Sequence, residues 1–115
     1  MTLAGTHEPV DRVAMLERLG GDEQLFAEAI AIFLEDFPGR LADIRSALDD
    51  GDPRSIRSSA HALRGAAGML AARELFEAAK AIELLGDAGK VYDAREAWSR
   101  LSNAAVAVAG ALKQS

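Results

Sequence analysis

The chain has 115 residues, half of which are hydrophobic, and it carries a formal net charge of −5 at pH 7. This length allows one domain with a hydrophobic core but leaves no room for a second. The acidic balance argues against general binding to nucleic acid or to anionic membranes. Because the chain has no cysteine, disulfides and thiolate metal sites are excluded. Aromatic residues make up only 5% of the sequence, so the core must be built from aliphatic side chains and alanine, which suits packed helices.

Residues 1–8 are predicted to form a polar leader ahead of a single domain over residues 9–113. The leader contains no basic segment followed by an apolar run, and no stretch of the chain approaches the roughly 20 apolar residues of a membrane span. We therefore expect a cytoplasmic protein, and we interpret His7 as a solvated residue of the leader. Pro9 can then open a short helix that ends at Gly20-Gly21 and caps the main body. Its inward residues are predicted to be Val13 and Leu16.

A second helix can begin after Asp22, a residue able to N-cap it. Its inward residues are predicted to be Leu25, Phe26, Ala29, Ile32 and Phe33. Pro38 should interrupt this helix, because a proline removes one backbone hydrogen bond and clashes with the preceding turn. We expect a kink or a restart there, after which the apolar pattern continues to about Asp49.

The sharpest boundary lies at Asp49-Asp50-Gly51-Asp52-Pro53, which combines a glycine stop, a capping aspartate and a proline at the first helical position. A helix over residues 53–70 follows, and a turn at Leu70-Ala71-Ala72 leads into another helix that ends at Gly86-Asp87-Ala88-Gly89. The last helix has the most regular apolar pattern, in alternating four- and three-residue steps: Ala94, Trp98, Leu101, Ala105, Val108 and Leu112. These segments predict an all-α fold, an antiparallel four-helix bundle with a short N-terminal cap helix.

The helix over residues 53–70 carries a histidine whose surroundings suggest a function. Its apolar residues line one stripe, which is predicted to face the core: Ile56, Ala60, Leu63, Ala67 and Leu70. At about 100° per residue, His61 falls on the opposite side, together with Arg54, Arg57, Ser58, Arg64, Gly65 and Gly68. His61 is therefore predicted to face solvent among arginines.

Two glycines beside this histidine require an explanation, because glycine inside a helix costs roughly 1 kcal/mol relative to alanine. Gly65 and Gly68 either clear space for a large, anionic reaction partner to approach His61, or let a neighbouring helix pack closely. The residues alone leave both interpretations open.

Several kinds of chemistry lack the residues they need. With two histidines, no cysteine and no Glu-x-x-His pattern, a metal site is not expected. A Ser/His hydrolase would need an acid beside His61, whereas its helical neighbours are arginines and glycines. The chain also has no glycine-rich phosphate loop for a nucleotide. The remaining role for His61 is that of a covalent carrier, because a neutral imidazole nitrogen is a nucleophile and nearby arginines can bind an attached phosphoryl group.

The segment His61-Ala62-Leu63-Arg64-Gly65-Ala66-Ala67-Gly68 resembles the signature of histidine-containing phosphotransfer (HPt) domains, which is His-x-Leu-Lys-Gly followed by small residues and Gly-Ala. The resemblance covers roughly residues 8–112 and includes further residues in family-like positions: Phe33, Pro38, Leu41 and Leu48 before the histidine, and Leu75 and Glu83 after it. Two residues depart from the pattern. Arg64 stands where the family usually has lysine, and Ala71 stands where it commonly has glycine.

This resemblance implies that His61 accepts a phosphoryl group from the phospho-aspartate of a receiver domain and passes it to the aspartate of another receiver. The chain would be a phosphoryl carrier rather than a stand-alone enzyme, with no cofactor of its own, because in the family the Mg²⁺ ion and the aspartate belong to the receiver. The residues expected to stabilise the phosphoryl group or contact the partner are Arg64, Gly65, Arg57, Ser58, Ala62 and Gly68. Expected partners are response-regulator receiver domains, and a hybrid sensor histidine kinase is a further candidate.

Two alternatives use the same bundle without phosphorylation. One is an adaptor that binds a receiver through the face around His61, although such an adaptor has no need of the imidazole. The other is a structural helical-bundle protein that oligomerises through the Trp98 helix. A relay protein, by contrast, is expected to be a monomer.

Overall fold

The computed structural model describes residues 8–114, and within this range it contains helices and no strand. The helices are α1 (Arg12–Arg18), α2 (Glu23–Asp50), α3 (Pro53–Met69), α4 (Arg73–Asp87), α5 (Val91–Glu96) and α6 (Trp98–Lys113). The predicted leader, residues 1–8, lies outside the described residues except for Glu8, and so does His7. Within residues 8–114, none of the helices has both the length and the hydrophobicity needed to cross a bilayer.

The long helices form the antiparallel four-helix bundle that the sequence predicts. Each long helix packs on two others: α2 on α3 and α6, and α4 on α3 and α6. The short helix α5 also contacts α2. The short helix α1 contacts α2 and is tied to the end of α3. There the backbone N–H of Asp11 donates to the carbonyl of Ala71 at 3.0 Å, and the Arg18 side chain donates to the carbonyl of Gly68. Helix α1 therefore caps the end of the bundle at which α3 stops.

Aspartates begin three of the helices, because a carboxylate can accept a hydrogen bond from a backbone N–H that has no partner inside the helix. The capping hydrogen bonds are Ala14 N–H to Asp11 at 3.0 Å, Leu25 N–H to Asp22 at 3.0 Å and Arg54 N–H to Asp52 at 3.2 Å. The predicted caps at Asp22 and Asp52 are confirmed. Helix α1 begins after Asp11 rather than at Pro9, because Asp11 provides the cap.

Helix α3 ends in a left-handed turn without a glycine. Three other turns place glycine in that region: Gly20, Gly51 and Gly89, with φ of 69°, 69° and 72°. At the end of α3, Ala71 adopts φ 55° instead. The N–H of Ala72 donates to Ala67 O at 3.0 Å and the N–H of Ala71 donates to Gly68 O at 3.1 Å, as in a Schellman motif. The turn thus keeps its geometry with alanine, at a cost of about 1–2 kcal/mol.

The core is built from aliphatic side chains and alanine, as the composition predicts. The predicted stripe of α3 is buried along its whole length: Ile56, Ala60, Leu63, Ala67 and Leu70. Three residues that were predicted to face inward are exposed instead, namely Val13, Leu25 and Ile32. The buried side of α2 runs through Ile30, Phe33, Phe37, Ile44 and Leu48, and this four-and-three spacing places Leu25 and Ile32 on another face. On α1, Met15 is buried in place of Val13, because a helix of 7 residues is too short for apolar spacing to decide its buried side.

Two further predicted helix limits differ from the structure. Helix α2 runs without interruption through Pro38, because the loss of one backbone hydrogen bond is offset by burial of side chains beside it, such as Phe37. The last helix, predicted as one element, is divided at Ala97 into α5 and α6. The N–H of Ala97 is shared between Asp93 O and Ala94 O, both at 3.1 Å, which tightens the turn at that point.

Helices α3 and α4 approach each other closely at Gly86. A Cβ atom at this position would lie 2.8 Å from Cγ2 of Ile56 and 2.9 Å from the backbone nitrogen of Arg57, so no side chain fits. Glu83 lies one turn before Gly86 on α4, and His61 lies one turn after Arg57 on α3. Because the two helices are antiparallel, their close approach brings Glu83 and His61 together.

Candidate functional site

His61 lies in the middle of α3, and its side chain is 58% accessible to solvent. Its neighbours Ala60 and Leu63 are fully buried. They anchor the helix in the core while the imidazole points away from it. The exposed position that helical periodicity predicts for His61 is confirmed.

Glu83 of α4 is the acid that contacts this histidine. Its Oε2 atom lies 2.9 Å from Nδ1 of His61, and its side chain is only 12% accessible. The expectation that no acid lies beside His61 is wrong, because the acid comes from the helix packed against α3, 22 residues along the chain. The sequence contains a signal for it: Glu83 stands at the edge of the buried stripe of α4, between Ile82 and Gly86, where a charged side chain needs a partner.

Arg64 completes a cluster across α3 and α4. Its Nε atom lies 3.0 Å from Oε1 of Glu83, and its Nη2 atom lies 3.1 Å from Nδ1 of His61. The guanidinium carbon lies 5.9 Å from the centre of the Phe76 ring. Oε1 of Glu83 is buried, and no donor within residues 8–114 is aligned for a hydrogen bond with it. Arg64 therefore balances the charge of this oxygen as an ion pair rather than through a directed hydrogen bond.

The position of the proton on His61 follows from these two neighbours. A carboxylate only accepts hydrogen bonds and a guanidinium only donates them, so Nδ1 of a neutral ring cannot satisfy both. Glu83 is the nearer partner, at 2.9 Å against 3.1 Å for Arg64. A buried acceptor that loses its hydrogen bond costs about 1–3 kcal/mol, whereas the partly exposed guanidinium can turn a donor toward water. We therefore assign the proton to Nδ1, which leaves the lone pair on Nε2.

The glycines near His61 have different surroundings. A Cβ atom at Gly65 would meet nothing within 4 Å, whereas one at Gly68 would lie 3.5 Å from the Phe76 ring. Gly65 is therefore not required by helix packing, and the surface beside His61 is open at this position. An added Cβ at Gly68 would make only an ordinary van der Waals contact with α4, so helix packing does not require a glycine there either. Close packing of α3 and α4 instead requires Gly86, a residue predicted only to end a helix.

The other predicted site residues lie on the surface of α3 around this cluster. Arg57 pairs with Asp87 of α4 at 3.4 Å, and both side chains are more than half exposed. Ser58 and Ala62 are exposed and line a shallow groove between α2 and α3. All three lie within one turn of His61, on the surface that an approaching partner would meet.

The chemistry available to the cluster comes from His61 itself. Within residues 8–114, no three His, Asp or Glu side chains are grouped so as to hold a metal ion. An exposed imidazole with a proton on Nδ1 and a free lone pair on Nε2 is a nucleophile, and the carboxylate behind it can stabilise positive charge on the ring.

The comparisons with known proteins agree with this architecture. The model of the Hpt domain family matches residues 28–113 of the chain. The crystal structure of histidine-containing phosphotransfer protein B (HptB) from Pseudomonas aeruginosa PAO1 is similar in fold, with a TM-score of 0.86, 21% sequence identity and coverage of 94% of each chain. The comparison with curated proteins gives no match. Since the family match spans most of the bundle and includes both His61 and Glu83, the chain belongs to the Hpt domain family, the histidine-containing phosphotransfer proteins of two-component signalling.

Proposed function

We propose that the protein is a phosphoryl carrier in a phosphorelay. His61 accepts a phosphoryl group from the aspartyl phosphate of one receiver domain and passes it to the aspartate of another. The observation that carries this proposal is the pairing of an exposed imidazole with a buried carboxylate, 2.9 Å from its Nδ1 atom. This pairing leaves Nε2 free to act as the nucleophile.

Transfer requires one bond to form and one to break. The Nε2 lone pair of His61 attacks the phosphorus atom in line with the leaving oxygen, the P–O bond to the aspartate breaks, and the aspartate leaves as a carboxylate. No proton has to leave His61, because Nε2 carries none and Nδ1 keeps its own. Attack by the aspartate of a second receiver then breaks the N–P bond and restores the free imidazole.

Glu83 favours this step because its negative charge lies beside Nδ1 of His61. As the N–P bond forms, the imidazole ring becomes positively charged, and a carboxylate 2.9 Å away stabilises that charge. Because Glu83 is already held by burial and by Arg64, it needs little reorganisation during transfer. The same contact holds the orientation of the ring, a role comparable to that of the aspartate in a Ser-His-Asp triad.

An adaptor of the same fold would bind receivers without using the imidazole. The buried carboxylate beside His61 argues against this alternative, since burying a charge is costly and a surface used only for docking gains nothing from it. The alternative of a purely structural bundle does not explain why Glu83 pairs with both His61 and Arg64.

The partners follow from the proposed reaction. Receiver domains provide the aspartate together with its Mg²⁺ ion, and a hybrid sensor histidine kinase is a further candidate partner. In this proposal the protein needs no cofactor of its own and acts as a monomer in the cytoplasm.

Phosphoryl transfer from pre-phosphorylated receiver domains tests the proposal. Several receivers are incubated with the wild-type chain, with His61→Ala and with His7→Ala. The last is the matched control, since these are the chain's 2 histidines. We expect acid-labile, base-stable label on the wild type and on His7→Ala, and none on His61→Ala.

Label that persists on His61→Ala would contradict the assignment of the acceptor. Receivers that bind the wild-type chain but never transfer label to it would favour the adaptor instead.

A further inference from the structure

A shallow groove between α2 and α3 lies beside His61. Acidic residues of α2 and small residues of α3 line it, among them Asp43, Asp50, Ser55, Ser58, Ser59 and Ala62. Since Ala62 follows His61 directly, a receiver domain whose aspartate reaches His61 also comes against this groove. We infer that the groove selects among receivers by binding two basic side chains of the partner through Asp43 and Asp50. The inference rests on the proposed function and specifies the kind of receiver that the function leaves open.

The lining of the groove carries negative charge and no positive charge. Asp43 and Asp50 provide this charge, and both residues are exposed. Within residues 8–114, neither carboxylate takes part in an ion pair or accepts a hydrogen bond from a side chain. The folded chain therefore leaves both carboxylates available to a partner, and complementary charges across an interface favour association.

The basic residues nearest to the groove do not line it. Arg40 of α2 is half-buried. Arg45 pairs with Asp49 at 3.6 Å and lies over the ring of Trp98, 5.3 Å from its centre. On α3, Arg54 lies at the start of the helix, outside the lining. The charge that a partner meets in the groove itself is thus that of the two aspartates.

The α3 wall of the groove offers hydrogen-bond acceptors. The hydroxyl of Ser55 donates to Asp52 at 2.7 Å. The hydroxyls of Ser58 and Ser59 donate to the carbonyl of Ser55 at 3.4 and 2.7 Å. Because a hydroxyl has one proton to donate, these three can only accept from a partner. Lysine and arginine side chains only donate hydrogen bonds, so they match this wall as well as the aspartates opposite it.

The spacing of the aspartates specifies the arrangement of the basic residues. Asp43 and Asp50 are seven residues apart on one side of α2. At 1.5 Å per residue, this separation is about 10.5 Å along the groove. Two residues seven apart on a helix of the partner have the same separation and also share one side. A receiver that fits the groove therefore has lysine or arginine at positions i and i+7 of an exposed helix, in the manner of helix-in-groove recognition.

Glycines keep the surface low on both sides of the groove. Gly39 lies one turn before Asp43, and a Cβ atom there would meet nothing within 4 Å. The same is true of Gly65, one turn after His61. Glycine is unfavourable inside a helix, and packing within the bundle requires neither residue. Their missing side chains allow a partner helix to approach α2 and α3 closely.

Charge reversal in the groove tests the inference. Transfer from several pre-phosphorylated receivers is measured to the wild-type chain and to Asp43→Lys/Asp50→Lys, over a range of receiver concentrations. For receivers with the basic pair, kcat/KM should fall at least about 10-fold at low ionic strength. The rate at saturating receiver should change little, because neither aspartate contacts the reacting atoms. The loss should shrink at about 1 M salt, where the Debye length is about 3 Å.

The matched control is Glu28→Lys/Glu35→Lys. These glutamates are also exposed and seven residues apart on α2, but they do not line the groove. The change in net charge is the same, so the control should lose much less kcat/KM. Equal losses in the two double variants would overturn the inference, because net charge alone would then govern association. If the variant with lysines in the groove does not fold by circular dichroism, Asp43→Asn/Asp50→Asn takes its place.

Charge reversal on the receiver identifies the pairing. The basic residues at positions i and i+7 of the receiver helix are changed to glutamate, and this receiver is assayed with both chains. It should transfer poorly to the wild-type chain and better to Asp43→Lys/Asp50→Lys, because the pairing is inverted in both partners. If no such receiver restores transfer to the lysine variant, the aspartates do not contact basic residues of the partner and the inference is wrong.

Binding of unphosphorylated receivers to the His61→Ala chain separates this inference from the proposed function, because it needs no phosphoryl transfer. Binding that weakens on charge reversal of the groove, in a protein that no receiver labels, would support the groove and contradict the proposed function. Label on His61 with the same kcat/KM in the wild type and the lysine variant would support the function and overturn the role of the groove. A chain that binds none of the receivers would contradict both.

Discussion

Gly86 of α4 lies so close to Ile56 of α3 that a Cβ atom on the glycine would be 2.8 Å from Cγ2 of the isoleucine. This contact determines how near the two helices come to each other. Glu83 precedes Gly86 by one turn, and its 2.9 Å contact with His61 spans the same helix pair. The geometry of the site therefore depends on a residue that belongs to the packing between the helices.

Gly86→Ala should both destabilise the bundle and slow phosphoryl transfer. The backbone nitrogen of Arg57, 2.9 Å from the added Cβ, cannot move unless α3 moves, so the overpacking should cost about 1–3 kcal/mol. The displaced helix would lengthen the contact between Glu83 and His61. Urea unfolding and the transfer rate measure the two effects.

The control for this substitution is Gly110→Ala on α6, where a Cβ meets nothing within 4 Å. It should raise the free energy of unfolding by roughly 0.5–1 kcal/mol and leave transfer unchanged. If Gly86→Ala is as stable and as active as the wild type, the close approach of α3 and α4 is not what places Glu83.

Gly65→Gln should prevent transfer while the bundle stays folded. A Cβ at Gly65 meets nothing within 4 Å, so the side chain extends into solvent, and glutamine is favoured over glycine in a helix by up to about 1 kcal/mol. The long side chain would cover His61, one turn away, and obstruct the receiver. Gly65→Ala adds only a methyl group and should transfer faster than Gly65→Gln. Normal transfer by Gly65→Gln, measured beside its urea unfolding curve, would show that receivers do not approach His61 from this side.

Ala71→Gly should stabilise the protein. Ala71 adopts φ 55° at the end of α3, a conformation that costs an alanine about 1–2 kcal/mol. Glycine removes this strain, but its greater conformational entropy in the unfolded chain lowers the free energy of unfolding by about 0.4–1 kcal/mol. The expected net gain in the free energy of unfolding is therefore about 1 kcal/mol, measured by urea denaturation. Ala107→Gly, at an exposed position inside α6, should instead lower the free energy of unfolding by about 1 kcal/mol. Equal effects of the two substitutions would mean that the left-handed turn carries no strain.

The ion pair between Arg100 and Glu74 should contribute to stability in a pH-dependent way. Arg100 donates to both carboxylate oxygens, at 2.8 and 3.2 Å, and these hydrogen bonds hold the pKa of Glu74 below its ordinary value of 4.5. A carboxyl group whose pKa is lower in the folded state stabilises the protein above its unfolded pKa, and this contribution is lost as the pH falls through the folded pKa.

Glu74→Gln should therefore be less stable than the wild type near neutral pH. Because both side chains are largely exposed, the loss should stay within about 0.2–1 kcal/mol after solvent screening. At a pH well below 4.5, urea unfolding of the two proteins should give the same free energy. A difference that does not change with pH would show that the charge of Glu74 is not its source.

Most helix limits and the orientation of α3 could be predicted because their causes are local. Capping aspartates, glycine stops and a proline at the first helical position act within one turn, and the regular apolar spacing of α3 is long enough to assign one buried side. The prediction was wrong where those signals are weak or are overridden. The seven-residue helix α1 buries Met15 instead of Val13, and α2 continues through Pro38 because its neighbours are buried in the core.

The chemistry of the site required contacts between distant segments. His61 and its solvent-facing position could be found from the residue pattern alone, since a helical period needs no partner. The pairing with Glu83 could not, because it joins residues 22 positions apart and depends on how closely α4 approaches α3 at Gly86. The placement of Arg64 at Nδ1 depends in turn on Glu83 and Phe76. Spacing along one helix shows which way a side chain points, but only the packing of two helices decides what it meets there.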